Sequence, residues 1–265
     1  MSNNSRGVLI FAINSKIDYI KLAEVAAKQA KEFLQLPVTL VTNELIESNK
    51  YFDSVIQIED ACSSVRNYKD ENGQLSTVDW FNESRIRAYE LSPYDKTLLI
   101  DADYFMFNDS LKVMFDTNVE FSCFDQTNDI SGTLTSVTRL NAITIPMYWA
   151  TVIYFTKCPF AEAIFTFMKI IKSNWDYYAD LYMFKAKNFR NDFALSIALQ
   201  ALSGYSIYNA NHLPGKLHTL FDESRVVRVD GNKVVCQSDT ELTYVINTNV
   251  HCINKLDLSH FYAPT

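Results

Sequence analysis

The sequence predicts an α/β protein with a mixed sheet flanked by helices, and three observations carry that reading. Gly7 to Ile13 (GVLIFAI) is an unbroken apolar run, the pattern of a strand buried on both faces of a parallel sheet. A helical period and two further short apolar runs follow it, a β-α-β-β opening. A later apolar run, Thr97 to Ile100, ends in Asp101-Ala102-Asp103, which puts two carboxylates where α/β sheets bind ligands, outside the carboxyl ends of the strands.

Each element has a local reason. Asp18 to Leu34 places Ile20, Ala23, Ala27, Ala30 and Phe33-Leu34 at helical spacing. Pro37 to Val41 and Ser54 to Ile58 read as the second and third strands, ending in Thr42-Asn43 and Glu59-Asp60. Residues 61–80 are polar and contain Asp70-Glu71-Asn72-Gly73-Gln74, which predicts a loop. Phe81 to Leu91 predicts a helix stopped by Ser92-Pro93. Asn108-Asp109-Ser110 predicts the N-cap of a short helix reaching Phe115. Val119 to Phe124 and Ala150 to Phe155 predict strands, and residues 126–147, without a period, an irregular insertion over the site. Ala161 to about Phe184 predicts a long helix or a pair of helices, and Asp192 to Leu202 a helix ended by Gly204. Val226 to Val235, centred on Asp230-Gly231, carries a hairpin signal, because Asp-Gly supplies the positive φ angles of a tight turn.

The chain has 265 residues, enough to bury a large core, and no internal repeat or low-complexity linker divides it. Hydrophobic residues at 48% exclude a disordered protein, and a net charge of −7 excludes nucleic-acid binding by the whole surface while leaving room for a local basic face. Five cysteines, widely spaced and without C-x-x-C, suit a reducing compartment better than a disulfide framework or a zinc knuckle. The apolar run near the N-terminus is too short to span a bilayer and no later run is long enough without charge. The expectation is a soluble cytoplasmic protein with no membrane partner.

Side chains at i and i+2 of an extended segment share a side, so Asp101 and Asp103 can face one object. Two adjacent carboxylates need a counter-charge to stay ionised, and a divalent cation carrying a phosphorylated ligand would supply it. The plainer alternative is that one Asp caps the next helix while the other is solvated. Two enzyme classes fit the pair. A phosphoryl-transfer enzyme of the haloacid dehalogenase type would use the first Asp as nucleophile, but such a pair belongs on the first strand with Thr or Val after it. Here the pair follows roughly the fourth strand, and Tyr104-Phe105 comes next.

The second class rests on resemblance. Ala88-Tyr89-Glu90-Leu91-Ser92-Pro93-Tyr94-Asp95-Lys96-Thr97-Leu98-Leu99-Ile100-Asp101-Ala102-Asp103 resembles the segment leading into the D-x-D motif of GT-A glycosyltransferases. The opening strand-helix-strand resembles their nucleotide-binding half, and Asn191-Asp192 resembles their Asn-Asp pair opening an acceptor-side helix. His251 with Lys255 resembles the C-terminal His and Lys that complete a metal and diphosphate site. The resemblance implies one GT-A domain over residues 1–265, with a nucleotide-sugar half at 1–125 and an acceptor half at 126–265. It also implies Mn²⁺ or Mg²⁺ as cofactor and a UDP-sugar as donor.

On that resemblance Asp103 is a metal ligand, Asp101 binds the metal or the ribose hydroxyls, His251 is a third ligand and Lys255 holds a phosphate oxygen. Arg85 takes the place of a basic residue contacting nucleotide or sugar, against a plain reading as a solvated helix face. Ala12, Asn14, Thr42 and Asn43, at strand ends, are where base and ribose would be read. Asp192, with Asn191, is the candidate for sugar or acceptor chemistry, as base for an inverting attack or as partner of donor hydroxyls; its plain reading is a helix N-cap. Two departures, Phe193 after Asp192 and Trp149-Ala150-Thr151-Val152 in place of an Asn-x-Gly strand, leave the stereochemical outcome open. A further alternative is a non-catalytic nucleotide-sugar-binding protein of the same fold.

Lys157, Lys169, Lys172, Lys185, Lys187 and Arg190 interleave with Trp175, Tyr177, Tyr178, Tyr182, Phe184 and Phe189 just before Asp192. Basic and stacking side chains together suit a polyanion acceptor such as nucleic acid. The plainer reading is an amphipathic helix with aromatics in the core and lysines in water. The compact chain also resembles phage-encoded GT-A proteins, some of which glycosylate hydroxymethylated bases in their own DNA. A flipped-out base is the acceptor this implies, and a glycan, lipid or protein is the alternative.

Overall fold

The computed structural model describes residues 5–14, 17–46, 50–59, 64–69, 75–81, 83–132, 138–141, 144–186, 188–205, 211–221, 224–238, 241–254 and 258–261. In chain order, β1 (Arg6–Ala12) leads to α1 (Tyr19–Leu34), β2 (Val38–Thr42) and β3 (Ser54–Gln57). A hairpin, β4 (Ser64–Lys69) and β5 (Leu75–Trp80), precedes a 3-10 helix at Glu83–Arg87 and the single turn α2 (Ala88–Leu91). Then come β6 (Lys96–Asp101), β7 (Tyr104–Phe105), a 3-10 helix at Ser110–Asp116, β8 (Phe121–Phe124), β9 (Thr127–Asp129) and β10 (Trp149–Thr156). Helices α3 (Pro159–Ser173), α4 (Trp175–Leu181) and α5 (Asn191–Leu202) follow. The chain then adds β11 (Asn211–His212), β12 (Leu217–Leu220), β13 (Ser224–Asp230), β14 (Lys233–Ser238), β15 (Glu241–Ile246), β16 (Val250–Cys252) and a 3-10 turn at Leu258–Phe261.

The α/β reading holds: a seven-stranded sheet in the order β11-β8-β10-β6-β1-β2-β3 forms the centre. It is parallel throughout except for β10, which runs antiparallel to both β6 and β8. The start of β10 therefore lies on the same edge as the ends of β6, β8 and β1. Strands β1 and β6 are buried along nearly their whole length, as apolar runs sandwiched between helical layers must be. Helix α1 buries Leu22, Ala23, Ala26, Ala27, Ala30 and Leu34; its N-cap is Asp18, whose carboxylate accepts from the Lys21 N–H. Small residues on that stripe let the helix lie close to β1 and β2.

Three local expectations are corrected. Residues 61–80 are not one loop, since 64–69 and 75–80 pair as an antiparallel ribbon. The helix expected over Phe81–Leu91 is a 3-10 segment followed by one α-turn. Within 126–147, Thr127–Asp129 forms a strand, parallel to β12 in a four-stranded sheet of order β7-β16-β12-β9. The expected hairpin forms, with Gly231 at φ 54°, and β15 extends it to a three-stranded sheet.

Candidate functional site

Strand β6 occupies the middle of the central sheet, and its apolar residues are spent on packing until Asp101, the first side chain to reach the edge. The chain then turns at Ala102-Asp103 and re-enters an extended conformation as β7. Asp103 thus sits in a turn, not in the extended segment that an i, i+2 argument assumes. The carboxylates still meet, because β7 pairs antiparallel with β16 in a register that sets His251 opposite Tyr104. Asn249 holds this junction: its side-chain Oδ1 accepts from the Phe107 N–H at 2.8 Å and the Asn108 N–H at 3.1 Å.

His251 Nε2 lies 3.6 Å from Asp103 Oδ1 and 4.0 Å from Asp101 Oδ2. One ligand atom from each of the three residues lies within 4.8 Å of the others. Asp103 and His251 are buried and Asp101 is partly open, so one side of the group faces the cavity. Two carboxylate oxygens and an imidazole nitrogen are a donor set suited to Mn²⁺ or Mg²⁺. His251 Nδ1 is buried, and no described residue hydrogen-bonds to it.

Arg85 is not on a solvated helix face. Its guanidinium is 4% exposed, donates to the carbonyls of Ala150 at 2.5 Å and Thr151 at 3.2 Å, and forms an ion pair with Asp101 Oδ1 at 2.9 Å. The 3-10 segment carrying it is tied to α3 through Glu83 and Lys172, 2.6 Å apart. Burial pushes the Asp101 carboxyl up to about 6; Arg85 and His251 oppose the shift, while the charges of Asp103 and Asp192 add to it.

A cavity of about 410 Å³ opens beside this group. Its walls come from the end of β1 (Phe11, Ile13), from Tyr19 and Phe81, from the start of β10 (Trp149 to Thr151) and from Phe189 to Asp192 at the opening of α5. Asp101, Asp103, His251, Arg85, Asn191 and Asp192 all line it, so the structure brings together these sequence-predicted residues from four distant segments. Asp192 is the second helical residue of α5, not its N-cap, which is Arg190. Its Oδ1 accepts from the Ala150 N–H at 2.7 Å and its Oδ2 lies 3.5 Å from Arg190. Ser196 in turn donates to the Asp192 carbonyl and accepts from the Tyr148 N–H, which fastens α5 to the lead-in of β10.

Ala12, Asn14, Thr42 and Asn43 do not line the cavity. Side chains alternate along a strand, so Phe11 and Ile13 face it while Ala12 packs away, fully buried. Asn43 Oδ1 accepts from the Asn14 N–H at 3.0 Å, and Asn14 Oδ1 accepts from the Ile20 N–H at 3.1 Å. Both amides are used to close the strand ends and seat α1. Thr42 is fully buried, and its Oγ1 accepts from the Glu44 N–H. Lys255 lies outside the described residues. Sequence reasoning missed Tyr19, Phe81, Ser84 and Phe189 as cavity walls, and noted Trp149 only as a departure from a pattern. Trp149 has the clearest signal, an indole N–H that is buried and without a partner among the described residues.

Part of the basic and aromatic run resolves into core and ion pairs, while Tyr177 and Lys185 are exposed. Trp175 is buried against Phe184 and Phe189, with ring centroids 5.0 and 5.1 Å apart. Lys169 pairs with Glu90, Lys172 with Glu83, and Lys157 lies over the Tyr89 ring. Lys187 is outside the described residues. The described part of the run matches an amphipathic helix better than a phosphate-tracking face.

No family model matches the sequence, and no curated protein matches it. Among solved structures, the chain is similar to the galactosyltransferase LgtC in complex with donor and acceptor sugar analogues, with a TM-score of 0.45 and 15% identity over 71% of this chain and 69% of that one. It is also similar to the glycosyltransferase GlyE of Streptococcus pneumoniae TIGR4, with a TM-score of 0.40 and 13% identity over 79% of this chain; the match spans 45% of the length of GlyE. No helix among the described residues is long and apolar enough to cross a membrane.

Proposed function

We propose that the protein is a metal-dependent glycosyltransferase that moves a sugar from a nucleotide-diphosphate donor, UDP-linked by preference, to an acceptor entering beside α5. The observation that carries this reading is the Asp101–Asp103–His251 group at the carboxyl edge of the central strand, open on one side to the 410 Å³ cavity. Asp103 and His251 would hold Mn²⁺ or Mg²⁺, with Asp101 as the third ligand. When bound, the cation supplies Lewis-acid neutralisation of the diphosphate as the sugar–phosphate bond breaks. Everything else falls to the chain's own groups.

Arg85 fixes one Asp101 oxygen, which leaves Oδ2 turned towards His251. Asp192 has one oxygen satisfied by the Ala150 N–H and the second 3.5 Å from Arg190, on a partly exposed side chain in the cavity wall. That oxygen is placed to accept a hydrogen bond from a sugar hydroxyl or a proton from an acceptor hydroxyl, and the two roles correspond to different stereochemical outcomes. Lys255 completes the diphosphate site in this reading. Residues 1–125 form the donor half and 126–265 the acceptor half. The enzyme works in the cytoplasm, of a phage host if the compact-phage resemblance extends to origin. A hydroxymethylated base in DNA is the acceptor that the sequence suggests, but two of the lysines meant to track its phosphates, Lys169 and Lys172, are engaged with Glu90 and Glu83. A neutral glycan asks for no such charge.

The test is transfer and hydrolysis of labelled UDP-sugars with Mn²⁺, with and without candidate acceptors including hydroxymethylated DNA. Wild-type turnover that is lost in EDTA and falls at least 100-fold in Asp103→Ala is the expected result. An Asp103→Ala protein as active as wild type overturns the metal role. Tight UDP-sugar binding with no turnover on any acceptor or on water would identify a non-catalytic binding protein.

A further inference from the structure

The three-stranded sheet β13-β14-β15 has an open edge. Among the described residues β15 hydrogen-bonds only to β14, so its other side offers unpaired N–H and C=O groups. Exposed edges in monomeric proteins ordinarily carry a lysine, a proline, a bulge or an inward charge that blocks a further strand. From Leu242 to Ile246, β15 has none of these. Its outward side chains are Leu242, Tyr244 and Ile246, at 65, 60 and 49% exposure. Their register partners on β14 are Gln237, Val235 and Lys233, which continue the same face.

The cations of this face each touch a neighbouring strand residue or ring, one of them through an ion pair. Arg228 pairs with Asp230 at 2.8 Å, Arg225 donates to Gln237 at 3.1 Å, and Lys233 lies over the Tyr244 ring at 4.1 Å. A strand would find apolar side chains beside an unpaired backbone.

We propose that β15 pairs antiparallel with β15 of a second copy of this chain across a two-fold axis at Tyr244, joining two three-stranded sheets into one of six strands. Residues directly opposite in an antiparallel pair share a face, so the axis must fall on a residue and not between two. With Tyr244 opposite its own copy, Leu242 meets Ile246 of the other chain, Thr243 meets Val245, and Glu241 meets Asn247. No like charges oppose each other, and the three outward apolar residues form one continuous row. A one-residue slip would set outward residues against inward ones, which side-chain alternation forbids, and among the registers that alternation allows only the axis at Tyr244 pairs all three outward apolar residues with one another. A contact of one strand edge is small, so the dimer should be reversible and populated at tens of micromolar chain.

The experiment is sedimentation velocity of the full chain from about 1 to 200 µM, on wild type, Tyr244→Lys, Tyr244→Glu and an equimolar mixture of the two variants. Wild type should shift from monomer to dimer over that range. Each variant alone places like charges opposite each other and should stay monomeric, with unchanged circular dichroism showing that it is folded. The mixture, with Lys opposite Glu, should restore the dimer. A wild type that stays monomeric at 200 µM overturns the proposal. So does a dimer that survives both single variants, since the contact then lies elsewhere, and so does a mixture that stays monomeric, since Tyr244 is then not on the axis.

Discussion

Replacing Asp101 by Asn should make the metal-free protein more stable at neutral pH, although it removes the ion pair with Arg85. The carboxyl is shifted from its ordinary 3.8 to about 6, mainly because the site withholds water and because Asp103 and Asp192 add negative charge. Arg85 opposes the shift without cancelling it. Two pH units at 1.36 kcal/mol each set an upper bound of about 3 kcal/mol on the cost of holding this charge in the folded state. Asp101 is a quarter exposed, so water recovers part of that cost, and a gain of ~1–2 kcal/mol is expected. Asn keeps an oxygen for Arg85, whose bonds to the Ala150 and Thr151 carbonyls are unchanged.

The sign has a pH signature. Between about pH 4 and 6 the unfolded chain has released this proton while the folded chain retains it. The contribution of Asp101 to wild-type stability therefore falls as pH rises through that window and levels off above it. Urea unfolding in EDTA should show Asp101→Asn ahead of wild type at pH 7.5 and level with it at pH 4. Adding Mn²⁺ should reverse the order at pH 7.5, because only wild type has its full ligand set. If the variant is less stable at both pH values without metal, the pair with Arg85 is net stabilising and the reasoning is wrong.

Three further outcomes follow from the packing. Gly7→Ala should cost ~3 kcal/mol or more by chemical denaturation, because an added Cβ would overlap the Tyr94 ring, itself anchored to Thr39 through its hydroxyl at 2.7 Å. Combining it with Tyr94→Ala should be clearly less than additive, and full additivity would refute the overlap. Asn249→Ala should cost about 2–3 kcal/mol by leaving the Phe107 and Asn108 N–H groups without their acceptor. The same change should weaken the Mn²⁺-dependent rise in melting temperature, and an unaltered rise would show that His251 is held by other contacts. Asp53 has its carboxyl held below the ordinary range: burial raises it, but the Val38 N–H and Lys31 outweigh burial. Its contribution to stability is present above pH 4 and lost as pH falls, so Asp53→Asn should destabilise at pH 7 but not at pH 2.5 in urea titrations.

Local patterns in the chain determined most of the strands and helices. The apolar run at Gly7–Ile13, the alanine stripe of α1 and the Asp-Gly turn each report a near-neighbour preference, and each formed as expected. The ribbon of 64–69 and 75–80 escaped because its segments lack a sustained apolar alternation; Asn72-Gly73 between them was the readable sequence signal. Strand β9 escaped because its partner, β12, lies some ninety residues away. At the site, the paired carboxylates pointed to Asp101 and Asp103, and the resemblance to GT-A glycosyltransferases to His251, Arg85 and Asp192, but neither pointed to how they meet. Asp103 reaches His251 through a turn and the β7–β16 register, and Arg85 is turned inward by the carbonyls of β10. Asn14 and Asn43, alike in sequence terms, were spent on backbone groups nearby. A sequence names which side chains have chemistry to offer. Which of them face a cavity and which satisfy a buried amide depends on contacts between distant segments, because each polar group can be used only once.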